Sequence, residues 1–188
     1  MNTTDFSSLP LSTDQLSNLL SLGYLEMTPI QAQSLPPVFA GKDILAQAKT
    51  GSGKTAAFAL GLLHTLETRN YQTQALIICP TRELADQVST ELRRLARAIP
   101  NTKLLTLCGG KPMAPQLTSL EHAPHIVVGT PGRILKHLEK ETLNLDGLKT
   151  LVLDEADRML DMGFHDDIMR VIDKTPRTRQ TLLFSATF

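Results

Sequence analysis

Apolar residues follow two rhythms along this chain. Short, nearly continuous apolar runs recur at 43–47, 74–79, 103–107, 125–128, 150–153 and 180–184. Between them lie stretches with helical spacing: 82–97, with Leu84, Val88, Leu92 and Leu95 in phase, then 133–140 and 164–173. Strand candidates alternating with helical patterns predict an α/β domain with a central, mostly parallel sheet, right-handed crossovers and helices on both faces. Ahead of the first run, Ser12 or Thr13 caps a short helix carrying Leu16, Leu19, Leu20 and Leu22 on one side and closed by Gly23. A second helix opens at Thr28, with Pro29 in its first position and Gln31 three residues after the cap. That is a capping box, and capping alone accounts for Gln31.

The turn after the first strand reads Ala48, Lys49, Thr50, Gly51, Ser52, Gly53, Lys54, Thr55, and a helix-like run through Phe58, Leu60, Leu62 and Leu63 follows. Gly51 and Gly53 permit a tight loop whose amide N–H groups approach phosphate oxygens. Lys54 is then placed for the β and γ phosphates, Thr55 offers a hydroxyl to Mg²⁺, and the positive end of a helix stands behind the anion. One position departs from the general pattern G-x-x-x-x-G-K-[ST], which begins with glycine: here it is Ala48.

Ligands of parallel sheets bind beyond the carboxyl ends of the strands, so the residues after each strand carry the chemistry. After the second strand come Pro80, Thr81 and Arg82; after the third, Gly109 and Gly110; after the fourth, Thr130, Pro131, Gly132 and Arg133. Thr81 and Thr130 stand at helix starts. Two helix N-termini and a Gly-Gly backbone on one edge make an anion-binding rim longer than a nucleotide needs, and a nucleic-acid backbone fits it. Capping and turn chemistry explain each piece taken singly. After the fifth strand, Asp154 is the expected Mg²⁺ partner and Glu155 the group that orients or deprotonates an attacking water. The sixth ends in Ser185, Ala186 and Thr187, whose hydroxyls can sense the nucleotide or link neighbouring segments.

Composition narrows the partners. With 188 residues the chain suits one domain, burying roughly 70% of its unfolded surface. It has 19 basic and 19 acidic residues and a pI near 7.0, so no global basic field draws nucleic acid or membrane to it. Any nucleic-acid site is therefore local. No Trp, two Tyr and six Phe argue against a base-stacking platform and for contacts to backbone phosphates. Cys79 and Cys108 each end an apolar run and read as small buried thiols of a reducing compartment. His122 and His125 lack companions at metal-ligand spacing and read as structural. The start has neither a basic region nor an apolar stretch, and no run reaches the length of a membrane span, so a cytosolic location is expected.

Taken in order, Gly23-Tyr24, Thr28 to Gln31, Ala48 to Thr55, Pro80 to Asp86, Gly109-Gly110, Thr130 to Arg133, Asp154-Glu155-Ala156-Asp157 and Ser185 to Thr187 resemble the DEAD-box ATP-dependent RNA helicases of superfamily 2. The likeness covers nearly the whole chain. It also makes Ala48 expected, since that family's phosphate loop typically begins with alanine; Met27 departs from its usual proline. The segments around 84–97, 105–110 and 157–164 are similar to the bacterial DbpA-like members, which act on ribosomal RNA. The resemblance implies a RecA-like P-loop NTPase fold, ATP and Mg²⁺ as cofactors, and RNA as partner. It implies that Tyr24 stacks on adenine, that Gln31 reads the edge of the base, and that Phe6, 17 residues before Gly23, supports the pocket. Pro80, Thr81, Arg82, Gly109, Gly110, Thr130, Pro131, Gly132 and Arg133 would hold one RNA strand by its sugar–phosphate backbone, while Asp157, Ser185, Ala186 and Thr187 would couple hydrolysis to that strand.

On this resemblance residues 1–32 form a segment for adenine recognition and 33–188 the first RecA-like domain, and a second RecA-like domain with arginine fingers is expected beyond Phe188. Such fingers contribute about 10³ to 10⁵ in rate, so these 188 residues alone are expected to bind adenine nucleotide weakly and to hydrolyse it hardly at all. The leading expectation is the ATP-binding half of a helicase core that separates RNA strands locally, in rRNA remodelling. One alternative is an ATP-regulated RNA- or protein-binding module without remodelling activity. Another is a different nucleotide-driven machine, such as a DNA helicase or transporter ATPase, against which Gln31 and the Asp-Glu-Ala-Asp run speak.

Overall fold

The computed structural model describes residues 4–187. Strands β1 (Ile44–Gln47), β2 (Ala75–Ile78), β3 (Leu104–Leu107), β4 (Ile126–Gly129), β5 (Thr150–Asp154) and β6 (Gln180–Ser185) form one sheet in the order β1-β6-β5-β2-β4-β3. Every neighbouring pair is parallel. All six carboxyl ends therefore share one edge. β2 shows why its run is continuously apolar: Ile77 joins the core on one face, Leu76 and Ile78 the core on the other, and all four of its residues are buried.

Helices α1 (Thr13–Ser21), α2 (Pro29–Phe39), α3 (Lys54–His64) and α4 (Arg82–Leu95) contribute to the first core, with strand residues Ile77, Val128, Val152, Leu182 and Phe184. Phe6, Leu9, Leu19 and Met27 belong to that same core, so the N-terminal segment is packed into the domain. On the opposite face Leu76, Val127, Leu151 and Leu153 pack against α6 (Pro131–Glu139), α7 (Ala156–Asp161) and α8 (His165–Ile172). α3 is the central helix, buried from Ala56 through Leu63, which explains an apolar sequence without a polar stripe.

The RecA-like α/β expectation holds, and the six expected strands appear with ends shifted by about one residue. Five helical details differ. α4 stops at Leu95 and continues as a short 3₁₀ turn, Ala96–Ala98. α6 begins at Pro131 because proline's fixed φ suits the first helical position. α5 (Met113–Leu120) was hidden by Pro112 and Pro115, yet a proline in the first turn removes an N–H that has no helical acceptor anyway. α7 was hidden by its brevity. In α1, Leu19 alone is buried, and Leu20 is 64% exposed, so the apolar side is narrower than its spacing suggests. Ser12 caps α1 and Gly23, at φ +86°, ends it.

Candidate active site

The phosphate loop is strung between β1 and α3. Its entry is pinned where the Ala48 N–H donates to the Ser185 carbonyl at 2.8 Å, and it turns through Gly51 at φ +81° and Gly53 at φ +93°. Gly53 has a further constraint. A Cβ there would lie 2.6 Å from Gln31 Nε2 and 2.8 Å from Thr28 Oγ1, because α2 rests its N-terminus on this turn. Gln31 is 1% exposed; its Oε1 accepts from the Thr28 N–H at 3.0 Å and its Nε2 donates to the Gly53 carbonyl at 3.0 Å. The glutamine thus fills half of the capping box and also ties that cap to the phosphate loop.

Two clefts flank the loop. One, of about 520 Å³, is lined by Thr28, Pro29, Ile30, Gln47, Ala48, Lys49, Gly51 and Ser52; the other, of about 420 Å³, by Thr50, Gly53, Lys54, Thr55, Gln87 and Glu91. Tyr24 lines neither, but its hydroxyl donates to Glu91 of α4, and burial, then the Glu91 bond and charge, push its pKa far up, with Arg94 opposing. Phe6 is a core residue, 4% exposed, set edge-on to the Tyr24 ring at 6.2 Å.

At the end of β5 the charges converge. Lys54 Nζ lies 2.9 Å from Asp154 Oδ1 and 3.6 Å from Glu155 Oε1, with Lys54 5% and Asp154 0% exposed. Asp154 Oδ1 meets the ammonium as an ion pair off hydrogen-bond geometry, and Oδ2 has no hydrogen-bond partner among the described residues. Burial pushes the Asp154 carboxyl above its ordinary value; Lys54 opposes this and Glu155 adds to it. Glu155 sits at φ +54°, a left-handed backbone that turns its side chain back over the phosphate loop, where Oε1 accepts from the Thr50 hydroxyl at 3.1 Å and Oε2 from Arg158 at 3.3 Å. β6 lies between β1 and β5 and supplies the link. Asp157 Oδ2 accepts from the Thr187 N–H at 3.1 Å and hydroxyl at 3.0 Å, while Ser185 Oγ accepts from the Asp157 N–H at 3.3 Å and donates to the Thr187 carbonyl at 2.6 Å. Burial, the largest single influence on Asp157, raises its pKa, but hydrogen bonds from Thr187, Arg158 and Ser185 together hold it below the ordinary carboxylate value. Ala186 is exposed and carries the turn.

The second rim lies further along the same edge. Pro80, Thr81, Arg82, Gly109, Gly110 and Thr130 line one shallow cleft of about 370 Å³, joined by Met162 and Phe164. Thr81 Oγ1 caps α4 by accepting from the Leu84 N–H at 3.2 Å, and Thr130 Oγ1 accepts from the Gly109 N–H at 3.2 Å. Gly110, at φ +75°, faces Arg82, whose Nη1 would stand 2.7 Å from a Cβ there. Pro131 is buried in the first turn of α6, Gly132 is half-buried beside Asp167, and the Arg133 guanidinium turns inward to Gln116 and the Lys111 carbonyl, both at 2.9 Å.

Comparison with known proteins accords with this geometry. The sequence profile of the DEAD/DEAH box helicase family matches residues 28–188. The chain belongs to the DEAD/DEAH box helicase family. Among curated relatives, the ATP-dependent RNA helicase DbpA of Escherichia coli K12 is 66% identical over 98% of this chain, and the ATP-dependent RNA helicase CshA of Listeria monocytogenes is 50% identical over 98%. This chain spans 41% and 35% of their respective lengths. Among solved structures, the crystal structure of a DEAD box protein from the hyperthermophile Methanococcus jannaschii superposes with a TM-score of 0.93 at 42% identity, covering 98% of this chain and 50% of that one.

Three groups of this DEAD/DEAH box domain escaped the sequence reading: Arg158, which holds Glu155; Gln116 and His137, buried beneath the rim; and Met162 with Phe164 on its wall. Only Gln116 left a signal, a polar residue among Met113, Leu117 and Leu120 at helical spacing. No helix among the described residues is long and apolar enough to cross a membrane.

Proposed function

We propose that this chain is the ATP-binding half of an ATP-dependent RNA helicase core, acting in the cytoplasm and completed by a second RecA-like domain of the same protein. The observation that carries the reading is the buried Lys54–Asp154 pair at the mouth of the phosphate loop, with one Asp154 oxygen left without a partner. A buried carboxylate with spare coordination beside a hydroxyl at a helix start suits a hard, oxygen-loving cation, so Asp154 and Thr55 fit Mg²⁺. When bound, Mg²⁺ would neutralise charge on the phosphate oxygens. Lys54 then exchanges part of its contact with Asp154 for the β and γ phosphates. Ala48, Lys49, Thr50, Gly51, Ser52 and Gly53 supply the backbone cradle. Glu155, already aimed over the loop by its left-handed backbone and by Thr50 and Arg158, orients and deprotonates the attacking water.

Gln31 reads the adenine edge while it braces the loop, and Tyr24, backed by Phe6, closes that side. Asp157, Ser185, Ala186 and Thr187 tie the water-activating corner to β6 and so to β1, a route by which a change at the phosphates reaches the rest of the edge. The cleft of Pro80, Thr81, Arg82, Gly109, Gly110 and Thr130, with the helix start at Pro131 and Gly132, holds one RNA strand by its backbone without reading sequence. Ribosomal RNA is the proposed target, supported by the similarity to DbpA. The test is nucleotide choice. With fluorescent ATP and GTP analogues, the chain should prefer ATP at least about tenfold, and Gln31→Ala should erase the preference, as expected where a built hydrogen-bond site is lost. Equal affinity for the two nucleotides would overturn the reading.

A further inference from the structure

Beneath the proposed RNA rim lies a buried side chain whose every polar atom is used. Gln116, 6% exposed on α5, points its carboxamide at the underside of the Gly109–Gly110 turn. Nε2 donates to the Cys108 carbonyl at 3.3 Å; Oε1 lies 2.9 Å from Arg133 Nη1 and 2.9 Å from His137 Nε2. The chemistry fixes the amide's orientation. A carbonyl needs a donor and a guanidinium needs an acceptor, so Nε2 must face Cys108 and Oε1 must face Arg133, which in turn puts the His137 proton on Nε2.

The turn is held on its inner side at three points. The Cys108 carbonyl rests on Gln116, the Gly109 N–H on Thr130 Oγ1 at 3.2 Å, and the Lys111 carbonyl on Arg133 Nη2 at 2.9 Å. Two of these three run through Gln116, directly or by way of Arg133. Since Thr130 Oγ1 serves as acceptor, its hydroxyl still has a proton to donate to a phosphate oxygen. Gly110 is left on the outer side, against Arg82. Arg133 is one link of this brace, with both terminal nitrogens engaged inside the protein.

We propose that Gln116 is a positioning residue of the RNA rim: by joining Cys108, Arg133 and His137 it fixes the Gly109–Gly110 turn relative to Thr130 and Arg82, so that one phosphate group meets all three. The inference rests on the RNA reading of the rim. Such a residue touches no RNA, yet its loss blurs the geometry that makes backbone amides and a hydroxyl converge.

The experiment compares wild type, Gln116→Met and Arg133→Lys in this chain. It reads the affinity for a fluorescein-labelled single-stranded homopolymeric RNA at one fixed salt concentration, the affinity for a fluorescent ATP analogue, and amide hydrogen exchange over residues 109–111. Methionine keeps the length of glutamine and removes its polar atoms. Lysine keeps the charge of Arg133 but cannot reach both acceptors. Both variants should weaken RNA binding by about tenfold, the loss of one or two charge-assisted contacts. Exchange at 109–111 should quicken while ATP affinity stays within about twofold. A folded Gln116→Met with wild-type RNA affinity overturns the inference and leaves the rim reading standing, and an equal fall in ATP affinity overturns it as mere loosening of the fold. If Gln116→Met does not fold, Arg133→Lys decides: unchanged RNA affinity shows that Arg133 acts by charge alone and sinks the brace. A wild-type chain that binds no RNA overturns the rim reading and the inference with it.

Discussion

The two functional ends of the strand edge are built from different materials. The nucleotide corner is made of charge: Lys54, Asp154, Glu155 and Arg158 lie in one chain of ion pairs, two of them nearly or fully buried. The rim is made of backbone and hydroxyls, with Thr81, Gly109, Gly110 and Thr130 supplying most of its surface and Arg82 its one charge from the expected set. Buried charges must be paired before any ligand arrives, so the corner is braced by its own reactive groups. A backbone surface has no such internal brace, and its support comes from one amide, one guanidinium and one imidazole underneath, those of Gln116, Arg133 and His137. Damage to the corner should therefore remove function and stability together, whereas damage to the rim should remove affinity alone.

Lys54→Ala is the strongest way to break that contrast. Nucleotide affinity should fall at least about 100-fold, as for loss of a group that meets phosphate charge. Stability at neutral pH should fall by about 3 kcal/mol, because Asp154 would be left buried beside Glu155 without a cation. The pH dependence has a definite sign. A carboxylate whose folded pKa is raised favours the protonated form, so it costs least at low pH and the deficit grows as pH rises through the raised folded value. Urea melts at several pH values check this, and RNA affinity should stay within about twofold. A Lys54→Ala chain as stable as wild type at pH 7 would show that the corner is not held by its charges.

Next in size is a pair of glycine variants in the phosphate loop. Gly51 and Gly53 both have positive φ, and alanine at either costs about 1 to 2 kcal/mol of backbone strain. Gly51 has nothing within 4 Å of a new Cβ, whereas at Gly53 the Cβ meets Gln31 Nε2 at 2.6 Å. Gly53→Ala should therefore lower ATP affinity several-fold more than Gly51→Ala, and calorimetric titration of both distinguishes strain from the loss of the Gln31 tie. Equal effects would mean that Gln31 only caps α2.

Gly110→Ala carries the comparison to the rim, and its effect should fall mainly on RNA. The new Cβ would stand 2.7 Å from Arg82 Nη1 at a φ of +75°. Arg82 is an exposed, flexible side chain that can swing aside, so stability should drop by only about 1 kcal/mol while RNA affinity falls about fivefold. Anisotropy with labelled RNA reads the second, a thermal melt the first.

The contrast also explains what the sequence disclosed. At the corner the residues proposed to do the chemistry are those that give the motif its spelling, so Ala48 to Thr55, Asp154 and Glu155 could be picked out from their spacing after two apolar runs. Even there the left-handed backbone of Glu155 and its contact with Arg158 were invisible, since neither residue type demands them. At the rim, helix starts announced themselves through Thr81 and Thr130, but Arg133, expected to face RNA, turns inward. Its acceptor, Gln116, sits on a helix that prolines disguised as loop. Tyr24 and Phe6 show a similar limit. An aromatic near a pocket in sequence can be half committed to a carboxylate, as Tyr24 is to Glu91, or wholly to the core, as Phe6 is.

The smallest expected effect separates two buried histidines. His125 and His137 are both 0% exposed, and burial lowers both pKa values, reinforced by Lys103 for His125 and by Arg133 and Lys140 for His137. A histidine whose folded pKa lies below its unfolded value of about 6.5 gives stability that is whole above that pH and is lost as pH falls toward the folded value. The two rings should not contribute equally. His125 Nδ1 accepts the Lys103 N–H at 3.0 Å where β3 begins, and a proton on that nitrogen would set donor against donor. His137 keeps its proton on Nε2 toward Gln116, and a second proton on Nδ1 would face Thr142 Oγ1 at 2.9 Å, an atom able to accept it. Unfolding free energies from urea melts between pH 7.5 and 5.5 should fall by at most about 1.4 kcal/mol per pH unit per histidine, and His125→Gln should flatten that slope more than His137→Gln. His125 lies at the amino end of β4, away from the rim. Acid should thus loosen the far edge of the sheet first, with RNA affinity at pH 6.5 still close to its value at pH 7.5, and an RNA affinity that falls in step with the urea midpoint would show that the rim is not separately braced.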